Sequence, residues 1–254
     1  MPHSTTDDGC RLWTSVGGDG PPVVLVHGGP GWWDTFGDLS LPGFTLHRWD
    51  QRGAGRSDPR GPYTLTRFVA DLETIRANTG HEQVALLGHS WGAALALEYA
   101  VTHQRHLTHL ILVSSTGLDG PPSTYRQRVA ERLAELPTDD PWLSRIAANL
   151  HHRPTALSTA RHLTTPRSTP NPQAANSLKA DLHTLPNRAV SYRSITTPTL
   201  LIHGAQDLRP PTVTNTLLNS LPNATRVVLD DVAHYPWIES PEPFRAATLK
   251  FLLR

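Results

Sequence analysis

A serine hydroxyl attacks a carbonyl only when a base removes its proton, and that base needs a carboxylate to fix its tautomer and steady its positive charge. In this 254-residue sequence three residues have the setting for those roles. Ser90 is the centre of Gly88-His89-Ser90-Trp91-Gly92, which follows the apolar run Val84 to Leu87 and leads into good helix formers from Ala93 to Tyr99. Strand, sharp turn and helix in that order push the central side chain out above a sheet, and the flanking glycines leave room for helix and strand to approach closely. Asp207 stands just past the apolar run Leu200 to His203, and His234 lies in the loop after the last such run. The order Ser90, Asp207, His234 fits nucleophile, acid and base on such a sheet. Asp119, after the preceding strand, competes for the acid's place, and Asp207 has the ordinary alternative of capping a helix.

A tetrahedral intermediate also needs fixed donors for its oxyanion. The backbone N–H of Trp91, next to the nucleophile, is one candidate, and that of Gly29 in His27-Gly28-Gly29-Pro30-Gly31 is the other. Asp50, also at a strand end, is expected to brace Arg52 or Arg56 within its own loop. The fourteen histidines show no metal-binding spacing, since His103, His106 and His109 cross from helix to strand and His151-His152 point apart on a helix. We expect neither a metal nor a cofactor.

The elements that must position these residues are legible as alternating strands and helices. Val23 to Val26 is apolar on both faces, as in a central parallel strand. Cys10 to Ser15 reads as a first edge strand, and Phe44 to Trp49, Leu107 to Val113, Leu200 to His203 and Thr225 to Leu229 supply further strands. Thr64 opens a helix whose Leu65, Phe68, Val69, Leu72 and Ile75 share a face, and Gly80 stops it. A final helix runs from Pro241 to Leu253. Between Thr116 and Ser194, Leu-rich pieces such as Tyr125 to Leu136 and Trp142 to Leu150 alternate with prolines and no strand interrupts them. That segment reads as a helical cap, with a mobile rim around Thr164 to Pro172. The expected organisation is therefore a core of residues 1–115 and 195–254, a mainly parallel doubly wound α/β sheet, with a cap of residues 116–194 inserted before the late strands.

Composition narrows the partners. With 23 basic against 22 acidic residues the net charge is +1, and no basic run suggests nucleic acid or a membrane surface. The single cysteine, Cys10, permits no internal disulfide, which fits a cytoplasmic protein. Met1 to Cys10 has no basic segment followed by an apolar core and no apolar run reaches membrane length, so a soluble protein that is not exported is expected, and Asn223-Ala224-Thr225 reads as a polar turn.

Over essentially its whole length the sequence resembles the α/β-hydrolase superfamily. Within it, His27-Gly28-Gly29-Pro30-Gly31, Asp50-Gln51-Arg52-Gly53-Ala54-Gly55-Arg56-Ser57 and Ser90-Trp91-Gly92 resemble the proline iminopeptidase family of serine peptidases. The resemblance implies a Ser90-His234-Asp207 triad, an oxyanion hole from Gly29 and Trp91, and a cap closing over an N-terminal proline or other small residue whose amine is held by cap carboxylates. Departures are His89, where these peptidases usually have glycine, and a short cap. The acidic cap residues Glu131, Glu135, Asp139, Asp140 and Asp181 map onto no amine-holding pattern. The expected function is a serine hydrolase that opens a small ester, amide or short peptide through an acyl-enzyme, prolyl peptide cleavage being its sharpest version. The alternative is a lyase or cyclase on the same scaffold that uses Ser90 and His234 for proton transfer.

Overall fold

The computed structural model describes residues 3–164 and 169–254. Its sheet comprises β1 (His3–Thr5), β2 (Arg11–Gly18), β3 (Pro22–Val26), β4 (Thr45–Trp49), β5 (Val84–His89), β6 (Leu107–Val113), β7 (Thr199–Gly204) and β8 (Ala224–Leu229). Their order is β1-β2-β4-β3-β5-β6-β7-β8. The strands from β4 to β8 run parallel, whereas β2 is antiparallel to β4 and β1 antiparallel to β2. Cys10 to Ser15 is thus not an edge strand: β2 continues through Gly18, and the three-residue β1 takes the edge. The polar His3-Ser4-Thr5 has no apolar pattern to announce it.

Alternation along the buried strands sends side chains to opposite faces. Val24, Val26, Leu86, Leu110 and Leu112 pack beneath α1 (Leu65–Ala77) and α2 (Trp91–His103). Val23, Leu25, Leu87, Ile111 and Val113 pack on the other face, against Phe244 and Phe251 of the last helix, Pro241–Leu252. Helix α1 begins where the Thr64 hydroxyl accepts the Arg67 N–H, and it buries Leu65, Phe68, Leu72 and Ile75.

Between β6 and β7 the chain forms α3 (Tyr125–Ala134), α4 (Pro141–Ala148), α5 (Ala156–Leu163), α6 (Pro172–Thr184) and α7 (Arg188–Tyr192). Helix α3 buries no residue fully; Val129, Leu133 and Leu136 are half-buried. Part of the expected rim, residues 165–168, lies outside the described residues. After β7 follow α8 (Asn215–Ser220), α9 (Pro236–Glu239) and α10, the last helix above. Among the described residues no helix is long and apolar enough to cross a membrane.

The chain leaves β3 toward β4 on one side and returns to β5 on the other. That reversal opens a crevice beyond the carboxyl ends of β3 and β5, the usual ligand position in open α/β sheets. His27 to Gly31 follows β3 and Ser90 follows β5, so two of the sequence's candidate groups meet at this crevice.

Candidate active site

Ser90 has φ 54° and ψ −112°, a backbone conformation that only a tightly determined turn holds in a non-glycine residue. Its N–H is fixed by Val113 O of β6 at 2.8 Å. The turn exists because α2 starts almost on top of the sheet: a Cβ added at Gly92 would lie 2.0 Å from Val26 O, and one at Gly88 2.4 Å from Gly92 O. Ser90 is 8% exposed and lines a cavity of about 530 Å³ together with Gly29, Trp91 and His234.

The His234 Nδ1–H donates to Asp207 Oδ2 at 2.6 Å, which leaves Nε2 without its proton and available as a base. Burial alone would raise the Asp207 carboxyl, but the charge and hydrogen bond of His234 and the Arg209 guanidinium outweigh it and hold Asp207 well below the usual carboxylate range. Burial lowers the His234 pKa, and Arg209 adds to that against the opposing pull of Asp207. The second Asp207 oxygen accepts from Arg209 N at 2.9 Å and Nη1 at 3.0 Å. Among the described residues no hydrogen bond joins Ser90 Oγ to His234; without substrate such contacts are commonly loose and tighten on binding.

The loop that carries His234 is held from several sides. Glu239 accepts the N–H groups of Ala233, Tyr235 and His151, while His234 N–H donates to Asn149 O at 3.1 Å. His89 Nε2–H donates to His234 O at 2.9 Å. Burial drives the His89 pKa well down, with the neighbouring His234 adding to it, so His89 is a neutral strut between the serine turn and the histidine loop.

Gln51 ties the glycine loop to the serine turn. His27 Nδ1–H donates to Gly28 O at 2.7 Å and its Nε2 accepts from Gln51 N at 2.9 Å. The Gln51 amide donates to His27 O, and its oxygen accepts from Trp91 Nε1 at 3.0 Å. The backbone N–H of Trp91 belongs to the first turn of α2, where no carbonyl of the helix reaches it. Asp50 braces Arg56, accepting from its Nε at 2.6 Å, and also accepts Asp34 N–H. Of the two arginines expected as its partner, Asp50 thus takes Arg56, and the fully buried Arg52 pairs with Asp71 and Asp8, fastening α1 and the N-terminal turn to the motif.

The competing acid, Asp119, is exposed and accepts from the Thr216 hydroxyl at 2.5 Å, away from His234. None of the acidic residues weighed for amine binding reaches the cavity wall. Glu131 accepts from Gln127, Glu135 pairs with Arg153, Asp140 caps α4 and Asp181 accepts Leu65 N–H, while Asp139 is exposed. Among the described residues the cavity has no carboxylate in its lining at all, and no group of three or more His, Cys, Asp or Glu side chains is arranged to hold a metal ion.

The family model for the α/β-hydrolase fold matches residues 21–241. The chain belongs to the α/β-hydrolase family. Among curated relatives it is 38% identical to a proline iminopeptidase of Saccharolobus solfataricus over 130 residues, 48% of this chain, and spans 41% of that relative's length. It is 28% identical over 268 residues to a proline iminopeptidase of Heyndrickxia coagulans, covering 92% of this chain and 91% of the relative. Among solved structures an esterase from Exiguobacterium antarcticum superposes with a TM-score of 0.81 at 21% identity, covering 99% of each chain, a likeness of fold.

Three residues of this α/β hydrolase's site escaped the sequence reading. Gln51 sat inside a recognised motif with no partner to point to, and Glu239 belongs to a helix too short for periodicity to reveal. Arg209 follows Asp207 by two residues, and that proximity was the one signal available for any of them.

Proposed function

We propose that the protein is a cofactor-independent serine hydrolase that cleaves a small ester or amide. His234 Nε2 takes the Ser90 proton as Ser90 Oγ attacks the carbonyl, and Asp207 orients the imidazole and stabilises its charged form. The N–H groups of Gly29 and Trp91 receive the oxyanion. The imidazolium then returns its proton to the departing alcohol or amine, and a water molecule activated by His234 releases the acid and regenerates Ser90. Residues 116–194 serve as the cap over a core of 1–115 and 195–254. The observation that carries this reading is the 2.6 Å Asp207–His234 hydrogen bond behind a cavity that both His234 and the strained Ser90 line.

The proline iminopeptidase relatives favour an amide bond next to a free N-terminal amine. Against that version stands the cavity wall, where such an amine would meet Arg145, Lys179, Arg188 and Arg209 and, among the described residues, no carboxylate. An ester or amide without a free amine therefore fits better.

A fluorophosphonate probe tests the nucleophile directly. Peptide mass spectrometry of the treated protein is expected to find one stoichiometric adduct, on Ser90. An adduct on another residue, or none under conditions that saturate a control serine hydrolase, would remove the hydrolase reading.

Arg209 gives a pH test. His234 must be neutral to act as base, so the rate rises with pH through the His234 pKa. Asp207, Arg209 and His203 bear on that pKa, and Arg209 lowers it. Substituting Arg209→Gln removes the cation, so the acid limb of kcat/KM against pH is expected to move to higher pH. An unmoved limb would show that Arg209 does not tune the base.

A further inference from the structure

We infer that the substrate of this site carries a carboxylate at the end remote from the scissile bond, bound between Arg145 of α4 and Lys179 of α6. This rests on the hydrolase reading above and goes beyond it in naming the substrate's charge. The cavity wall holds Arg145, Lys179, Arg188 and Arg209 against no acidic side chain among the described residues. Yet the whole chain is almost neutral, with 23 basic and 22 acidic residues, so the imbalance is local to the cavity.

Two of the four cations are already engaged. Arg209 is hydrogen-bonded to Asp207, and Arg188 Nη2 donates to Leu118 O at 3.3 Å. Arg145 and Lys179 have no carboxylate partner among the described residues, and both are exposed on the cavity side of their helices. Their charges reach one another: desolvation in the wall and the Arg145 charge together lower the Lys179 pKa, with no carboxylate to offset them. Two like charges in one cavity wall without a carboxylate to offset them are unfavourable, and an anion between them reverses the sign of the interaction. The rest of the chamber suits a short aliphatic chain leading there from Ser90. Trp32, Trp142, Ala175 and Leu182 form apolar wall, and Trp32 meets Trp142 edge-on at 5.8 Å.

The test uses ethyl esters of one chain length, followed by proton release at constant pH: monoethyl glutarate, ethyl pentanoate and ethyl 5-(trimethylammonio)pentanoate. A fourth ester, the pentanoate of glycolic acid, moves the carboxylate to the alcohol side. The expected result is a kcat/KM for one of the two anionic esters at least about tenfold above ethyl pentanoate at low ionic strength, with the ammonium ester slowest. The preference should shrink with added salt, because these head groups face solvent. In the Arg145→Gln/Lys179→Gln double variant the ratio should fall toward one, and in Arg145→Glu/Lys179→Glu the ammonium ester should overtake the anionic ones. A wild-type ratio of one or less, or a preference that survives in the double glutamine variant, would overturn the inference while leaving the hydrolase reading intact. If no ester is cleaved and Ser90 takes no fluorophosphonate, the hydrolase reading falls separately. Glutarate titrated against tryptophan fluorescence then decides: saturable quenching that the double glutamine variant loses upholds the anion site, and its absence in wild type overturns it.

Discussion

Replacing Ser90 with alanine is expected to lower kcat/KM for p-nitrophenyl butyrate by about ten-thousandfold or more, the usual consequence of removing the nucleophile of such a triad. The loss should come without loss of fold. Alanine and serine meet the same difficulty at φ 54°, so the strained turn is neither relieved nor worsened, and Ser90 N–H still donates to Val113 O. With the strain unchanged, the variant's thermal midpoint is expected to equal that of wild type. Steady-state kinetics and a melting curve on the same preparation separate the two effects. A variant that keeps a tenth of the wild-type rate would end the nucleophile's claim, and one that melts far lower would make the rate uninformative about chemistry.

Gly92→Ala should lower the unfolding free energy by about 3 kcal/mol or more, in the range of overpacked and strained sites. Local propensity argues the opposite sign, since alanine in place of glycine inside a helix normally gains about 1 kcal/mol. Tertiary contact decides it. The added Cβ would lie 2.0 Å from Val26 O and 2.6 Å from His27 O, both backbone atoms that cannot swing aside. Relief requires α2 to lift from β3, which carries Ser90 and the Trp91 N–H away from the glycine loop, so fluorophosphonate labelling should fall with stability. Urea unfolding measures the first effect. Gly17→Ala is the control: nothing lies within 4 Å of its Cβ position, and its change should stay within about 1 kcal/mol. A Gly92→Ala protein as stable as wild type would show that the close approach is not required.

The sequence by itself determined the parts of this protein that local chemistry writes. The runs Val23 to Val26 and Val84 to Leu87 are apolar on both faces because helices cover both sides of the sheet, and that need leaves its mark residue by residue. The glycines flanking Ser90 were legible for a similar reason: the turn demands them within five residues. Ser90, Asp207 and His234 stood out as candidates because each follows a recognisable strand. The three-residue β1 and the half-buried face of α3 were not legible, since neither buries enough apolar surface to imprint a period on the sequence.

Only the tertiary structure decided which of several equivalent polar groups meet. Asp207 and Asp119 both follow strands, and nothing local tells them apart; the fold puts one against His234 and leaves the other on Thr216. Arg52 and Arg56 sit four residues apart in one loop, yet they turn to different carboxylates. The charge of the cavity was equally hidden. Arg145 and Lys179 lie far apart in a sequence whose basic and acidic residues nearly balance, and only packing α4 and α6 around one chamber puts both in its wall. Periodicity records what a residue buries; which charge it faces depends on elements brought together from distant parts of the chain.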